Sequence, residues 1–357
     1  MRVVRVGDVA TVIMGQAPPG ESYNDAGSGL PLVAGASDLG ELTPEPSRFT
    51  TSPSKTSESG DIILCVRATI GDLNWSDKKY CLGRGVAGLR PAKGKLKAEY
   101  LWHYLAANAN NLAALGRGAT FKQITRTDIE AFEIPLPAIA AQQRIAAILD
   151  QTDELRRLRQ KSIERLNELG QSIFDELTRK SLVDDWEYKR LTDFFEFRTG
   201  KLDSNAAVPG GRYPFFTCSR EDFAIDTYAF DCEALLLAGN NANADYSVKH
   251  YKGKFNAYQR TYVLRLKDPR GSYAYAKVAL QRKLSELKQH SKGSNTKYLT
   301  MGVFGELQIL VPPHEVQDTF SEQMAALAPL QRRVERATAE INRLFASLQQ
   351  RAFAGDL

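Results

Sequence analysis

From Ile139 to Lys180 the chain reads IAAQQRIAAILDQTDELRRLRQKSIERLNELGQSIFDELTRK, with apolar residues at Ile145, Ile148, Leu149, Leu155, Leu166, Leu169, Ile173 and Leu177. Steps of three and four between them draw one apolar stripe along a helix whose other faces are charged. Roughly 40 residues at about 1.5 Å each give a rod on the order of 60 Å. Such a rod is too long to lie across one small domain, so it must pack against another rod or hold two bodies apart. A second stripe follows near the C-terminus, at Phe320, Met324, Leu327, Leu330, Val334, Ile341, Leu344 and Leu348. Pro329 falls inside it and is expected to kink that rod, or to divide a short leading helix from the main one.

The two stripes are copies. An offset of 175 residues places Phe320 on Ile145, Met324 on Leu149, Leu330 on Leu155, Ile341 on Leu166, Leu344 on Leu169 and Leu348 on Ile173. The same offset sets Gly293, Lys297 and Thr300 on Gly118, Lys122 and Thr125, Pro312 on Pro137, and Gln317 on Gln142. Further upstream, Tyr275, Leu280 and Leu287 fall on Tyr100, Leu105 and Leu112, and an offset of 185 sets Leu191, Asp193 and Gly200 on Val6, Asp8 and Gly15. A constant offset across helix, loop and rod means a tandem duplication of about 180 residues. Each copy is a globular part followed by a long helix. The expected domains are 1–137, a central spacer helix 138–180, a second globular part 181–312 and a C-terminal spacer helix 313–357.

Within the first globular part, VRVGDVATVIMG alternates like a strand and stops at Gly15. Asp61 to Trp75 (DIILCVRATIGDLNW) reads as the clearest strand, a β-rich run closed by Gly71 and Asp72, and Cys81 to Leu89 as the returning one. AEYLWHYLAANANNLAALG is a helix with Tyr100 in its core face, and FEIPLP a short strand into the rod. The second part repeats the scheme: CEALLLAG, FNAYQRTYVLRL, the helix SYAYAKVALQRKLSELKQH with Tyr275, and LQILVPP.

Charge is distributed as the repeat is. Lys78 to Arg126 holds ten Lys or Arg and one acid, Glu99; Lys249 to Lys297 holds thirteen and two acids, Asp268 and Glu286. A single basic run is usually a solvated face. Two at equivalent positions, nearly free of acids, point to a polyanion, and nucleic acid is the leading one. The loops GRGATFKQ and SKGSNTK lie within these runs. They join glycine, hydroxyls, amides and cations, which suits phosphate contact and base reading. Candidate contacts are Arg117, Thr120, Lys122 and Gln123 in the first loop and Lys292, Ser294, Asn295 and Lys297 in the second. Arg67, Arg84, Asn240, Asn241, Gln259 and Arg260, near strand ends, complete the set.

Reaction chemistry is missing from the pattern. There is no GxxxxGK[ST] loop, no GxGxxG after a strand, no HExxH, and GNNANAD is not an amino-methyltransferase signature. Asp150, Asp153 and Glu154 read as a solvated helix face, and the histidines as surface residues or as supports behind a site. Cys65, Cys81, Cys218 and Cys232 stand singly, without CxxC spacing, as reduced thiols of a cytoplasmic protein. A zinc site with His250 or His290 is set aside. No apolar run reaches membrane-spanning length, and MRVVRVGDVATVI reads as a strand, not a signal peptide.

The duplicated layout, GDIILCVRATIGD, GATFKQITRTDIEAFEIPLPAIAAQQRIAAILD, its counterpart SKGSNTKYLTMGVFGELQILVPPHEVQDTF and the ending LQQRAFAGDL resemble the specificity subunit of type I DNA restriction–modification systems. The resemblance covers essentially the whole chain. It implies an α+β fold of two pseudo-symmetric target-recognition domains, joined by two long helices packed as an antiparallel coiled coil. Each domain is expected to read one half of a split double-stranded DNA target, with the helices setting the gap and docking two methyltransferase subunits. Those partners, with translocase-nuclease subunits, would bring S-adenosylmethionine, ATP and Mg; the chain itself is expected to bind no cofactor and catalyse nothing. The second copy departs from the pattern, with LVPPHEVQDTF for IPLPAIAAQQRI. Two other classes compete: a coiled-coil scaffold with incidental basic faces, and a self-contained nuclease or methyltransferase.

Overall fold

The computed structural model describes residues 2–118, 122–179, 186–221, 223–241, 246–293 and 297–357. Two compact units emerge, Met1–Gln160 with Arg336–Leu357, and Lys161–Glu335. The central helix spans Ile139–Arg179 and the C-terminal helix His314–Ala354. Each long helix therefore gives one part to each unit.

In the first unit an antiparallel sheet is ordered Ala10–Met14, Val86–Pro91, Ile62–Cys65, Leu73–Trp75. All four residues of Ile62–Cys65 are fully buried. Ile62 and Leu64 enter the main core with Leu101 and Leu105, while Ile63 and Cys65 enter a smaller one with Val33 and Leu82. A strand covered on both faces needs apolar residues at every position, which is why it reads IILC without alternation. Leu30–Val33 runs parallel to Cys81–Leu82 beside it.

The second unit repeats this plan. Its strands Phe195–Thr199, Thr261–Leu266, Phe230–Ala238 and Val248–Ala257 follow in the same order, and Tyr213–Phe216 runs parallel to the last. Leu235 and Leu237 face one core, Leu236 and Ala234 another. Registers reproduce the sequence offsets: Met14 faces Ala87, and Thr199 faces Tyr262. Gly15 and Gly200 close the opening strands where a Cβ would lie 2.0 Å from the Gly83 carbonyl oxygen and 1.7 Å from that of Ala257. Only glycine fits there.

Buried hydrogen bonds repeat as well. The Lys97 N–H donates to Gln142 Oε1 at 2.8 Å, and Gln142 Nε2 donates to the carbonyls of Pro137 (2.9 Å) and Lys95 (3.1 Å). In the second unit the Ser272 N–H donates to Gln317 Oε1 at 3.0 Å, and Gln317 Nε2 to the Pro312 carbonyl at 2.9 Å. Tyr100 and Tyr275, both core residues, donate their hydroxyls to the carbonyls of Pro135 (2.8 Å) and Leu310 (3.0 Å). A buried phenol or amide must find such partners or leave a polar group stranded.

Several expectations need correction. Val6–Val9 forms one helical turn inside the supposed opening strand, and Leu191–Phe194 repeats that turn in the second unit. Asp61 to Trp75 is a hairpin of Ile62–Cys65 and Leu73–Trp75, not one strand. FNAYQRTYVLRL is split likewise between Val248–Ala257 and Thr261–Leu266. The helices that carry Tyr100 and Tyr275 each break, at the equivalent points Asn108 and Lys283. The C-terminal helix runs unbroken through the exposed Pro329 and is not divided there.

The long helices pair head to tail. In the first unit the start of the central helix shares a core with the end of the C-terminal helix, through Ile145, Leu149, Phe345 and Ala352. In the second unit the end of the central helix meets the start of the other: Phe174 lies 5.7 Å from Phe320, and both rings touch Tyr275. The expected stripes are only partly internal. Leu155, Leu169, Leu330 and Leu344 are 50%, 44%, 47% and 51% exposed.

Candidate nucleic-acid interface

Three backbone segments meet at one face of each unit. In the first, the loop around Gly118 is closed by Arg117 and Gln123, which exchange backbone hydrogen bonds of 3.0 Å each way. The Ile124 N–H donates to the Val66 carbonyl, and Arg67 bridges to Gln123, which docks the loop on the end of Ile62–Cys65. The Val66 N–H in turn donates to the Gly85 carbonyl, tying in the turn that carries Arg84. A Cβ on Gly85 would lie 2.2 Å from the Ala34 carbonyl oxygen, so that turn is pressed against the neighbouring strand. Arg67, Arg84, Arg117, Lys122 and Gln123 thus converge although they span almost sixty positions of sequence.

The second unit makes the same knot with other residues. Lys292 and Tyr298 close the loop, the Leu299 N–H donates to the Gly239 carbonyl, and the Gly239 N–H donates to the Arg260 carbonyl. Asn240 pairs with Tyr298 and Asn241 with Lys297. Asn240, Asn241, Gln259, Arg260, Lys292 and Lys297 therefore share one face. Thr120, Ser294 and Asn295 lie outside the described residues.

Charge on these faces is sparser than the basic runs suggest. Lys79 pairs with Glu58, Arg90 with Asp61 and Arg126 with Glu130. Lys252 pairs with Glu233, Arg265 with Glu196, Arg270 with Asp268, Arg282 with Asp175 and Lys283 with Glu286. Part of the excess is thus neutralised within the fold. Among the described residues, Arg67, Arg84 and Lys122 in one unit, and Arg260, Lys292 and Lys297 in the other, have no carboxylate partner. They are the cations best placed to meet an anion.

Arg117 is different, because its Nη2 sits 2.9 Å from Asp128 Oδ1. Asp128 Oδ2 accepts from the Thr125 hydroxyl at 2.7 Å and the Thr125 N–H at 2.9 Å. The Thr125 hydrogen bonds, helped by Arg117, hold the Asp128 carboxyl below the usual carboxylate range. Asp128 thereby clamps both ends of the first loop. Val303, buried, stands at its place in the second copy. There the Tyr262 hydroxyl donates to the Leu299 carbonyl at 3.0 Å and steadies the loop from the sheet side. Sequence reading passed over Asp128, Tyr262 and the exposed Tyr298; only Thr125-x-x-Asp128, a capping box, gave a signal.

The two copies, alike in frame and unlike in side chains, match a known family. A model described as type I restriction modification DNA specificity domain fits residues 1–168 and again 183–342. The chain belongs to this family. Family members include the putative type I restriction enzyme MjaX specificity subunit of Methanocaldococcus jannaschii, 37% identical over 164 residues, 46% of this chain and 39% of that protein. The type I restriction enzyme EcoDI specificity subunit of Escherichia coli is 36% identical over 143 residues, 40% of this chain and 31% of that protein. The matched stretches thus span less than two fifths of either relative. The crystal structure of a type I restriction-modification S subunit from M. genitalium has the same fold, with a TM-score of 0.64 over 99% of this chain and 96% of that one, at 16% identity. Among the described residues, no helix is long and apolar enough to cross a membrane.

Proposed function

We propose that the chain is the DNA-reading subunit of a type I restriction–modification complex, each unit reading one half of a bipartite duplex target. The observation that supports this best is the repeated three-segment face, with unpaired cations around its loop in both copies and different Arg, Gln and Asn side chains in each. Cations give phosphate affinity in either half, while Arg, Gln and Asn set the sequence read. The long helices act as the spacer that fixes the gap between half-sites. Linking two weak readers on a stiff spacer raises effective concentration, so tight binding needs both half-sites.

Two methyltransferase subunits dock on the helices. The exposed leucines support this: Leu155 and Leu330 are equivalent by the repeat, as are Leu169 and Leu344, and each unit carries one of each kind. Two like patches suit two copies of one partner. This chain is non-catalytic; S-adenosylmethionine, ATP and Mg serve the methyltransferase and translocase-nuclease subunits, and the complex works on cytoplasmic DNA. The scaffold alternative is separated by a mobility-shift titration of the intact complex at several salt concentrations. DNA affinity that falls steeply with salt supports the proposal, and an affinity indifferent to salt defeats it.

A further inference from the structure

A spacer can measure a gap only if its direction is passed on to the domains that read. We infer that Gln142 and Gln317 are the latches that fix each long helix to its recognition domain and so set gap selectivity, an inference that rests on the function proposed above. Between the strand Glu133–Pro135 and the helix Ile139–Arg179 lie only residues 136–138. Those three residues are the whole joint between rod and domain. Gln142, in the first turn of the central helix and fully buried, locks it from both sides. Its carbonyl oxygen takes the N–H of Lys97, the residue that opens helix Ala98–Ala107, and its amide grips the carbonyls of Lys95 and Pro137. One side chain thus joins three elements: rod, joint and domain helix.

Gln317 does the same for Ser272 and Pro312 at the head of the C-terminal helix, and is 2% exposed. The second latch has an added bolt, the Ser272 and Ser321 hydroxyls 2.5 Å apart, which Lys97 and Ala146 cannot form in the first copy. The base-reading faces use neither glutamine. Loosening a latch should therefore blur the measured distance while leaving the half-site sequences as they are.

The test uses the intact complex with its methyltransferase subunits, and duplexes carrying both mapped half-sites at the native gap and at one base pair more or fewer. Gln142→Leu keeps bulk and removes the latch. It should cut the methylation preference for the native gap by about tenfold, because a swivelling reader can reach the wrong spacing. Gln317→Leu should cut it less, since the serine bolt remains. Lys97→Pro, at a φ of −84° that proline accepts, removes one latch bond without touching the rod and should give an intermediate loss even if Gln142→Leu folds poorly. Ile145→Val weakens the same core and should leave gap preference unchanged. Latch variants that lose activity at every gap in proportion, keeping the preference, would overturn the inference. A wild-type complex with no gap preference would instead refute the proposed function beneath it.

Discussion

Neutralising the unpaired cations of the first unit should change how DNA binding responds to salt by a calculable amount. On the two loop faces, Arg67, Arg84 and Lys122, with Arg260, Lys292 and Lys297, are six described cations that have no carboxylate partner. Each phosphate neutralised contributes about 0.9 to the slope of log affinity against log salt, so six give a slope near −5 and roughly a 10³-fold loss between about 50 and 200 mM. The triple change Arg67→Gln, Arg84→Gln, Lys122→Gln should bring the slope to about −3, and the loss over the same interval to roughly 50-fold. Fluorescence anisotropy of the intact complex on a labelled target duplex measures this directly. Lys79→Gln serves as control, because Lys79 lies in the same basic run but is paired with Glu58. A triple variant with the parental slope, or a control that flattens it equally, would refute the assignment of these cations to phosphate.

Other expectations follow from particular contacts. If Arg117 acts through Asp128, Arg117→Ala and Asp128→Ala should be non-additive in a double-mutant cycle on DNA affinity, coupled by about 1 kcal/mol; additivity would make Arg117 a direct DNA contact. Because the Asp128 pKa is lowered in the fold, its stabilising contribution is whole above the ordinary carboxylate value near 4 and is lost as pH falls through the folded value, so the clamp is intact at neutral pH. Leu155→Asp with Leu330→Asp should leave thermal stability within about 0.5 kcal/mol, as for exposed positions, yet weaken methyltransferase docking by more than about 1 kcal/mol per site, measured by analytical ultracentrifugation. Unaltered assembly would remove these leucines from the interface.

Much of the architecture was readable because duplication wrote it twice. A single apolar run such as Ile62–Cys65 is ambiguous, but its recurrence as Ala234–Leu237 in the same order marks a shared frame. The described loop residues lie beside the strand-end residues because both loops follow equivalent helices and both dock on a strand end. What stayed hidden was conformational detail with no local signature. In Asp61 to Trp75 the pair Gly71-Asp72 marked where the strand closes, but Val66-Arg67-Ala68 lacks the usual turn residues, so the departure of Ala68 to φ 56° before Gly71 at φ 107° went unread. Leu155 and Leu330 looked internal because periodicity reports an apolar face, not which neighbour covers it. Ion pairing was illegible too: most partners of the basic runs, Glu58, Asp61, Asp175, Glu196 and Glu233 among them, lie outside those runs in sequence.

The modular claim is tested most directly by mapping methylated bases in cells whose complex carries a foreign recognition domain in place of residues 1–137. One half of the methylated sequence should change to that of the donor, while the other half and the gap stay as they were. A change in both halves, or in neither, would contradict two independent readers on one frame.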